Sequence, residues 1–475
     1  MSSLNIEELI SSKDINSNEI INSTLDISNN SILFVNNESL KKLEKLINEA
    51  LDMGVKAIVT NKECTISDDK IIKVKNYNEI FKDVLQKICP NYENKNFYGI
   101  TGTNGKTTTG YYLNQLISSK SLFVGTTESS LLKKITNEEH LTTPKLFNIV
   151  KLLGLKENNG INDVVIEVSS HALEQERLEG LKFIVSGFTN LSQDHFDYHK
   201  NIENYFNSKL KLFKNNTSEK FAYIDSEWGR KIKSLTTIPS FSIGTNKKDN
   251  LYIKNIISTK EKYDINFEIE GNNFDITVPL SGPGSHLNYL LALSMAYLSE
   301  LYDLDTLLET SLKLKNPLGR YEVIKYKKNN EIIIDFAHTP ESITQIINFV
   351  KSKYNKVIVI LGAGGGRDKE KRPLMGEAAN LADKIIITND NPRHEDEEEI
   401  AKNILSGIEL NKDTKIILNR KEAIIEGINN LDEDSVLLIL GKGHETIQQF
   451  KDTSVEFSDQ EIVKEHIKEN LWLEL

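Results

Sequence analysis

Cysteine is nearly absent: Cys64 and Cys89 are the only two in 475 residues. Two thiols argue against a disulfide framework and against a thiolate metal site. Long apolar runs are missing too, since none approaches the roughly 18 residues of a membrane span. The first 20 residues carry Glu7, Glu8, Asp14 and Glu19 where a leader would have an apolar block. No membrane span and no signal peptide are therefore expected, and the expected location is the cytoplasm. Positive charge is in deficit. A net charge of -11 gives no electrostatic basis for binding nucleic acid or an anionic membrane surface. No internal repeat is found. What remains, 39% hydrophobic and 27% charged residues, is an ordinary globular composition. Its length suffices for about three domains.

What is present begins with Gly102-Thr103-Asn104-Gly105-Lys106-Thr107-Thr108, a glycine-rich turn between an apolar strand and a helix. Backbone N–H groups in such a turn curl around phosphate, the helix N-terminus adds positive potential, and Lys106 supplies a full charge. The Thr107 hydroxyl can ligand Mg²⁺. The run reads as an ATP site. Its spacing departs from the ordinary phosphate loop, because Ile100 stands where that pattern has its first glycine.

The organisation around this loop is α/β. Residues 1–91 mix short strands, Ile32-Leu33-Phe34-Val35 and Ala57-Ile58-Val59, with a helix over 39–53, and read as a small α/β domain. Residues 92–318 alternate strands and helices, with an amphipathic helix at 201–213, a β-rich insertion at 251–278 and an apolar helix at 290–301. A central ATPase domain with a mostly parallel sheet is expected. Asn316-Pro317-Leu318-Gly319 reads as a linker. Residues 319–475 hold four short continuous apolar runs, at 332–334, 357–360, 385–387 and 436–439. Such runs suit a parallel sheet buried on both faces, hence a Rossmann-like C-terminal domain. The acidic cluster at 395–399 reads as a solvated helix start.

Several polar groups sit where such sheets deliver chemistry. Glu167 follows Val164-Val165-Ile166, at the carboxyl end of a parallel strand, and is placed to hold Mg²⁺. A glutamate opening a surface turn is the bland alternative, but Ser169, Ser170 and His171 crowd the same turn. The segment Phe188-Thr189-Asn190-Leu191-Ser192-Gln193-Asp194-His195-Phe196-Asp197-Tyr198-His199 gathers two histidines and two aspartates in a chain with nine histidines. It suits a metal or phosphate site, although imidazole is an uncommon Mg²⁺ ligand. Thr143 with Pro144 fits a helix N-cap followed by N1. Gly364-Gly365-Gly366-Arg367-Asp368-Lys369-Glu370-Lys371-Arg372-Pro373 suggests a second phosphate loop on composition alone.

With these motifs in this order, the chain from the phosphate loop to its C-terminus resembles the Mur ligase family, and within it the MurE type that extends a UDP-N-acetylmuramoyl-dipeptide. The resemblance implies that Glu167 and His195 ligand one Mg²⁺ while Thr107 serves the nucleotide-side Mg²⁺. It implies a carbamylated Lys209, since CO₂ capture turns a repelling ammonium into an anionic oxygen ligand. Gly102, Thr103, Asn104, Gly105, Lys106, Thr107 and Thr108 would cradle ATP, with Arg320 reaching its phosphate, Asp335 its ribose and Asn288 its adenine. Ser285 stands where the family has a second asparagine. Thr142, Thr143, Ser169 and Arg177 would hold the sugar-peptide. Arg367 would take the carboxylate of the incoming amino acid. Asp390-Asn391-Pro392-Arg393 has the form of members that add meso-diaminopimelate, with Arg393 on the distal carboxylate and Gly441 and Glu445 at the distal centre.

The uridine contacts have no clean counterpart; either Thr24-Leu25-Asp26 or Asn22-Ser23-Thr24 stands at that place. The implied activity is ATP-dependent ligation of meso-2,6-diaminopimelate to UDP-MurNAc-L-Ala-D-Glu through an acyl phosphate, by a monomer. Ligation of L-lysine or another diamino acid, a folylpolyglutamate-synthase-like activity, and a catalytically silent nucleotide-binding scaffold stand as alternatives.

Overall fold

The computed structural model describes residues 19–36, 39–117, 120–128, 135, 141–327 and 330–473. The chain divides into two compact units, residues 1–97 with 120–182, and residues 98–119 with 183–475.

In the first unit the strands Ile20–Ile21, Ile32–Phe34, Ala57–Thr60 and Ile71–Lys73 form a parallel sheet in that order. Helix Leu40–Asp52 covers it, because Leu43, Ile47 and Ala50 recur at helical spacing and are buried with Leu33, Val55 and Ile58. Helix Tyr77–Ile88 stacks Phe81 on Phe147 of helix Leu146–Leu153, with ring centroids 6.0 Å apart. This last helix corrects one expectation. Its N-cap is Lys145, because the Thr143 hydroxyl is drawn away to donate to the Glu167 carbonyl at 2.7 Å. Strand Asp163–Glu167 pairs in parallel with Ser121–Val124 and is buried along its whole length.

In the second unit the strands Asn96–Thr101, Phe183–Phe188, Ser218–Ile224, Ser240–Gly244 and Leu251–Ser258 lie side by side in parallel. Strands Tyr263–Ile269 and Asn272–Val278 extend them antiparallel, as the β-rich insertion predicts. Helix Lys106–Ile117 leaves the first strand and packs beside helix Ser285–Leu298. The latter begins ahead of the expected residue 290, at Ser285, whose hydroxyl donates to the Ser281 carbonyl at 2.7 Å. The helix expected at 201–213 is Ile202–Leu210 followed by a tighter turn, Lys211–Phe213. Asn201 starts it by accepting from the Asn204 amide at 2.9 Å.

A six-stranded sheet completes the unit, in the order Glu322–Tyr326, Asn330–Asp335, Ser435–Leu440, Lys356–Leu361, Lys384–Ile387, Asp413–Ile416. All neighbours are parallel except the first pair. The four apolar runs occupy its centre. Their side chains alternate between two cores, Val357, Val359, Ile385 and Leu438 on one face and Ile358, Ile360, Ile386 and Leu437 on the other. The two edge strands were not expected, because an edge can be half exposed and carries no apolar run. Mostly parallel α/β architecture is thus the fold, as the sequence predicts. Among the described residues, no helix is long and apolar enough to cross a membrane.

Candidate active site

The phosphate loop is held from below by the end of the next strand. Asn190 accepts from the Thr103 amide through its carbonyl and from the Asn104 amide through Oδ1, both at 2.9 Å. Thr189 Oγ1 donates to the Asn104 carbonyl at 2.7 Å, and the Ser192 amide donates to Thr103 Oγ1 at 3.0 Å. Only glycine fits the two turns of this loop: a Cβ on Gly102 would lie 1.8 Å from Thr189 Oγ1, and Gly105 has φ +83° with Asn288 Oδ1 at 2.4 Å. Asn288 thereby abuts the loop. Lys106 Nζ donates to the Gly102 and Thr103 carbonyls at 3.1 and 2.7 Å.

The linker brings the C-terminal sheet onto this loop. Tyr112 in the loop's helix donates to Asn316 Oδ1 at 2.6 Å, and Asn316 Nδ2 donates to the Ser281 carbonyl at 2.9 Å. Four residues on, Arg320 Nη2 donates to Thr107 Oγ1 at 3.2 Å, and its guanidinium stacks over Phe336 at 4.4 Å. Asp335 is occupied in this arrangement. Its two oxygens accept from the Tyr321 and Ala337 amides, each at 2.7 Å, fixing the turn that aims Arg320, and burial raises its carboxyl.

His195 sits in a left-handed backbone conformation, φ 56°, after the strand that supports the loop. Its neighbour Asp194, not singled out from sequence, is the centre of an ion cluster. Buried Asp194 accepts from the His195 amide at 3.0 Å and lies 3.5 Å from Lys371 Nζ and 3.9 Å from His338 Nε2. Burial alone would raise this carboxyl. His195, Lys371 and His338 outweigh it and hold Asp194 well below the usual carboxylate range.

Lys209 is buried, donates to the Gly102 carbonyl at 2.7 Å and lies over the Tyr205 ring at 4.3 Å. Among the described residues, no three His, Cys, Asp or Glu side chains converge as a metal site. In the second unit the Thr107 hydroxyl suits a hard cation, and Lys209 would suit one as a carbamate; in the first, the Glu167 carboxylate is by itself a hard-cation donor. A carbamate keeps one N–H for the Gly102 bond and adds anionic oxygens.

The composition of the glycine-rich segment 364–373 suggests a second phosphate loop, but three of its four cations, Lys369, Lys371 and Arg372, are spent on carboxylates. Lys371 faces Asp194, and Arg372, 1% exposed, gives both terminal nitrogens to Glu395 at 3.1 Å. Glu395 also accepts from Gly366 and Lys369, and Arg372 pulls its carboxyl down to about 2. So Glu395 departs from the solvated helix start expected of it. Helix Glu397–Leu405 does begin there, capped by Asp396. Arg367 is exposed.

Across from this segment Asp390 and Asn391 meet the turn Gly441–Glu445, while Arg393 reaches Gly365 and Gln449. Lys442, fully buried, donates to Glu445 Oε2 at 3.0 Å, Asn391 Oδ1 at 3.3 Å and the Ile447 carbonyl at 2.7 Å. Asn391 Nδ2 bonds the same Glu445 oxygen at 2.8 Å. Burial raises the Asp390 carboxyl against the pull of Lys442, and a Cβ on Gly441 would lie 2.6 Å from Asp390 Oδ2. Sequence puts Lys442 inside the Gly441–Glu445 motif without a role of its own, because Asn391, 51 residues away, reaches it only through the fold.

In the first unit, Thr143 gathers the residues expected at the sugar-peptide site. Its hydroxyl accepts from the Ser169 amide at 2.9 Å and lies 3.1 Å from Ser169 Oγ, and its carbonyl accepts from Arg177 Nη1 at 2.9 Å. Glu167 accepts from the Thr126 amide and hydroxyl at 3.0 and 2.9 Å, and Thr142 Oγ1 lies 3.5 Å from that hydroxyl. Of the two stretches considered for uridine, Thr24–Asp26 is a short turn capped by Ser23, which accepts from the Leu25 amide.

An α/β phosphate-loop unit tied through a short linker to a second parallel sheet defines a nucleotide-using class of protein. Two family models match: the Mur ligase middle domain over residues 100–296, and the Mur ligase, glutamate ligase domain over residues 319–443. The chain belongs to the Mur ligase family. It is 36% identical over 439 residues, 89% of this chain and 90% of the other, to the UDP-N-acetylmuramoyl-L-alanyl-D-glutamate--2,6-diaminopimelate ligase of Rickettsia conorii. It is 32% identical over 478 residues, 98% and 97% of the two chains, to UDP-N-acetylmuramyl-tripeptide synthetase 2 of Oceanobacillus iheyensis. A solved diaminopimelate ligase of the first name matches with TM-score 0.63 and 26% identity, over 98% of each chain.

Proposed function

We propose that this chain is an ATP-dependent amide ligase of peptidoglycan precursor synthesis that joins meso-2,6-diaminopimelate to UDP-MurNAc-L-Ala-D-Glu. The observation that carries the reading is the junction of the phosphate loop with the C-terminal sheet, through Arg320 to Thr107 and Lys371 to Asp194. Relatives that bear the ligase name along nearly their whole length support it.

The γ-phosphoryl of ATP passes to the terminal carboxylate of the dipeptide, giving an acyl phosphate and ADP. An amino group of diaminopimelate then attacks the acyl carbon, loses a proton and expels phosphate. Activation is required because a carboxylate oxygen is a poor leaving group. Lys106 and Arg320 offset charge on the transferring phosphoryl group, and the loop amides of residues 102–108 orient it. Two Mg²⁺ ions, when bound, would offset further charge there; we assign Glu167, His195 and a carbamylated Lys209 to one and Thr107 to the nucleotide-side ion.

Asn288 and Asp335 are assigned to adenosine, and Thr142, Thr143, Ser169 and Arg177 to the sugar-peptide. Arg367, Asp390, Asn391, Pro392, Arg393, Gly441 and Glu445 are assigned to the amino acid. The guanidinium of Arg393 favours an amine that carries a distal carboxylate over lysine. We also propose three functional domains, 1–91, 92–318 and 319–475, in a cytoplasmic monomer. Phosphate release should need ATP, the UDP-muramoyl-dipeptide and diaminopimelate together. ATP binding without such release would refute the ligase reading.

A further inference from the structure

The linker that carries Arg320 and the turn Gly441–Glu445 are pressed together backbone to backbone. Gly319 has φ +64°, and a Cβ there would lie 2.1 Å from the His444 nitrogen. Gly443 has φ +53°, and a Cβ there would lie 2.7 Å from the Gly319 carbonyl oxygen and 2.9 Å from Phe336 Cβ. Neither position admits a side chain. Phe336 is the ring over which Arg320 stacks, and its centroid is 5.5 Å from that of His444. Gln460 ties this contact. It is 6% exposed, in the first turn of helix Asp459–Leu473, and its Nε2 donates to the Gly443 carbonyl at 2.8 Å and to Glu322 Oε2 at 3.1 Å. The same Glu322 oxygen accepts from the Gly319 amide at 3.1 Å. A carbonyl and a carboxylate only accept, so they fix which way the Gln460 amide points. Ser458 Oγ donates to the other end of that amide at 3.1 Å. The start of the helix is itself anchored: Asp459 accepts from Arg420 Nη2 at 2.7 Å, and the same nitrogen donates to the Leu440 carbonyl, just before the turn, at 3.1 Å.

We propose that Gln460 is a positioning residue for the second half of the ligation: it sets the turn Gly441–Glu445 against the linker, so that an amine held by the turn meets the acyl phosphate formed beside Arg320. This rests on the assignment of Gly441 and Glu445 to the incoming amino acid. Phosphoryl transfer does not need the bridge, because Asp335 fixes the turn that aims Arg320 and Arg320 bonds Thr107 directly. Attack on the acyl carbon does need it. Amine and carbon must approach to about 3 to 3.5 Å, and a misplacement of about 1 Å costs on the order of 100-fold.

The test uses the full-length protein in two reactions. One is ligation at varied meso-diaminopimelate with saturating ATP and UDP-MurNAc-L-Ala-D-Glu; the other is isotope exchange in bridge-labelled ATP with the dipeptide and no amine, which reads acyl phosphate formation alone. Gln460→Met keeps the bulk and removes the donors, and should lower kcat/KM for diaminopimelate about 10- to 100-fold. Isotope exchange and KM for ATP should stay within about 2-fold. Gln460→Glu, the same shape with acceptors facing acceptors, should fall at least as far. Gln460→Lys, which keeps donors toward Gly443 and Glu322, should stay within about 3-fold of wild type. The Glu and Lys variants decide the matter if the Met variant does not fold. Equal ligation by those two, or exchange that falls in step with ligation, would overturn the role of Gln460 and leave the ligase reading intact. An unchanged KM for diaminopimelate in Glu445→Ala would refute the assignment of the turn, and the role of Gln460 with it. Wild-type protein that formed no amide with diaminopimelate would instead refute the ligase reading.

Discussion

The phosphate loop and the region around residues 390–395 of the same unit, to which we assign the amino acid, are built on opposite principles. The loop takes its shape from backbone: consecutive residues, two glycines that admit no Cβ, an amide caught by Asn190 and a carbonyl caught by Thr189. The region around residues 390–395 takes its shape from side chains brought together across the fold, Lys442 with Asn391, Arg372 with Glu395, Arg393 with Gln449. A backbone cradle suits phosphate, the part of the chemistry shared by every nucleotide enzyme. A side-chain lattice can be altered one residue at a time, which suits the substrate that distinguishes one ligase from another.

That contrast predicts different failures at its two ends. Lys106→Ala should break the loop's function most severely, lowering kcat about a thousandfold with the fold intact by circular dichroism. Lys209→Ala should likewise abolish turnover, with partial return on adding small carboxylates such as formate. Full activity in that variant would refute a carbamate there. Arg393→Ala should leave KM for ATP unchanged and raise KM for diaminopimelate about 10- to 100-fold, the loss of a charge-assisted pair.

The smallest effect belongs to the lattice itself. Glu395→Gln should cost about 2 kcal/mol of folding stability by denaturant titration, since buried Arg372 loses its counter-charge. The Glu395 carboxyl is held down to about 2 from an ordinary 4.5. Its contribution is therefore complete above pH 4.5 and lost as pH falls through about 2. The stability gap between wild type and Glu395→Gln should close over that window and not above it.

The same contrast explains what the sequence discloses. The loop and the four central C-terminal strands are legible because each is a contiguous run whose composition states its environment. The edge strand Asp413–Ile416 reads as polar chain, since one neighbour and a half-exposed face ask little of it. Thr143 reads as a helix cap until Glu167, 24 residues away, supplies a better partner. Glu395 reads as solvated because nothing local announces Arg372, and Asp194 gains its meaning only when Lys371 arrives from 177 residues downstream. Local rules find backbone sites; side-chain lattices need the fold.

The most direct test of the account is the mass of the product formed by purified protein given ATP, UDP-MurNAc-L-Ala-D-Glu and an equimolar mixture of meso-diaminopimelate and L-lysine. The diaminopimelate tripeptide should be the dominant product, with one ADP per amide bond. A lysine tripeptide in comparable yield, or ADP formed without any amide, would contradict it.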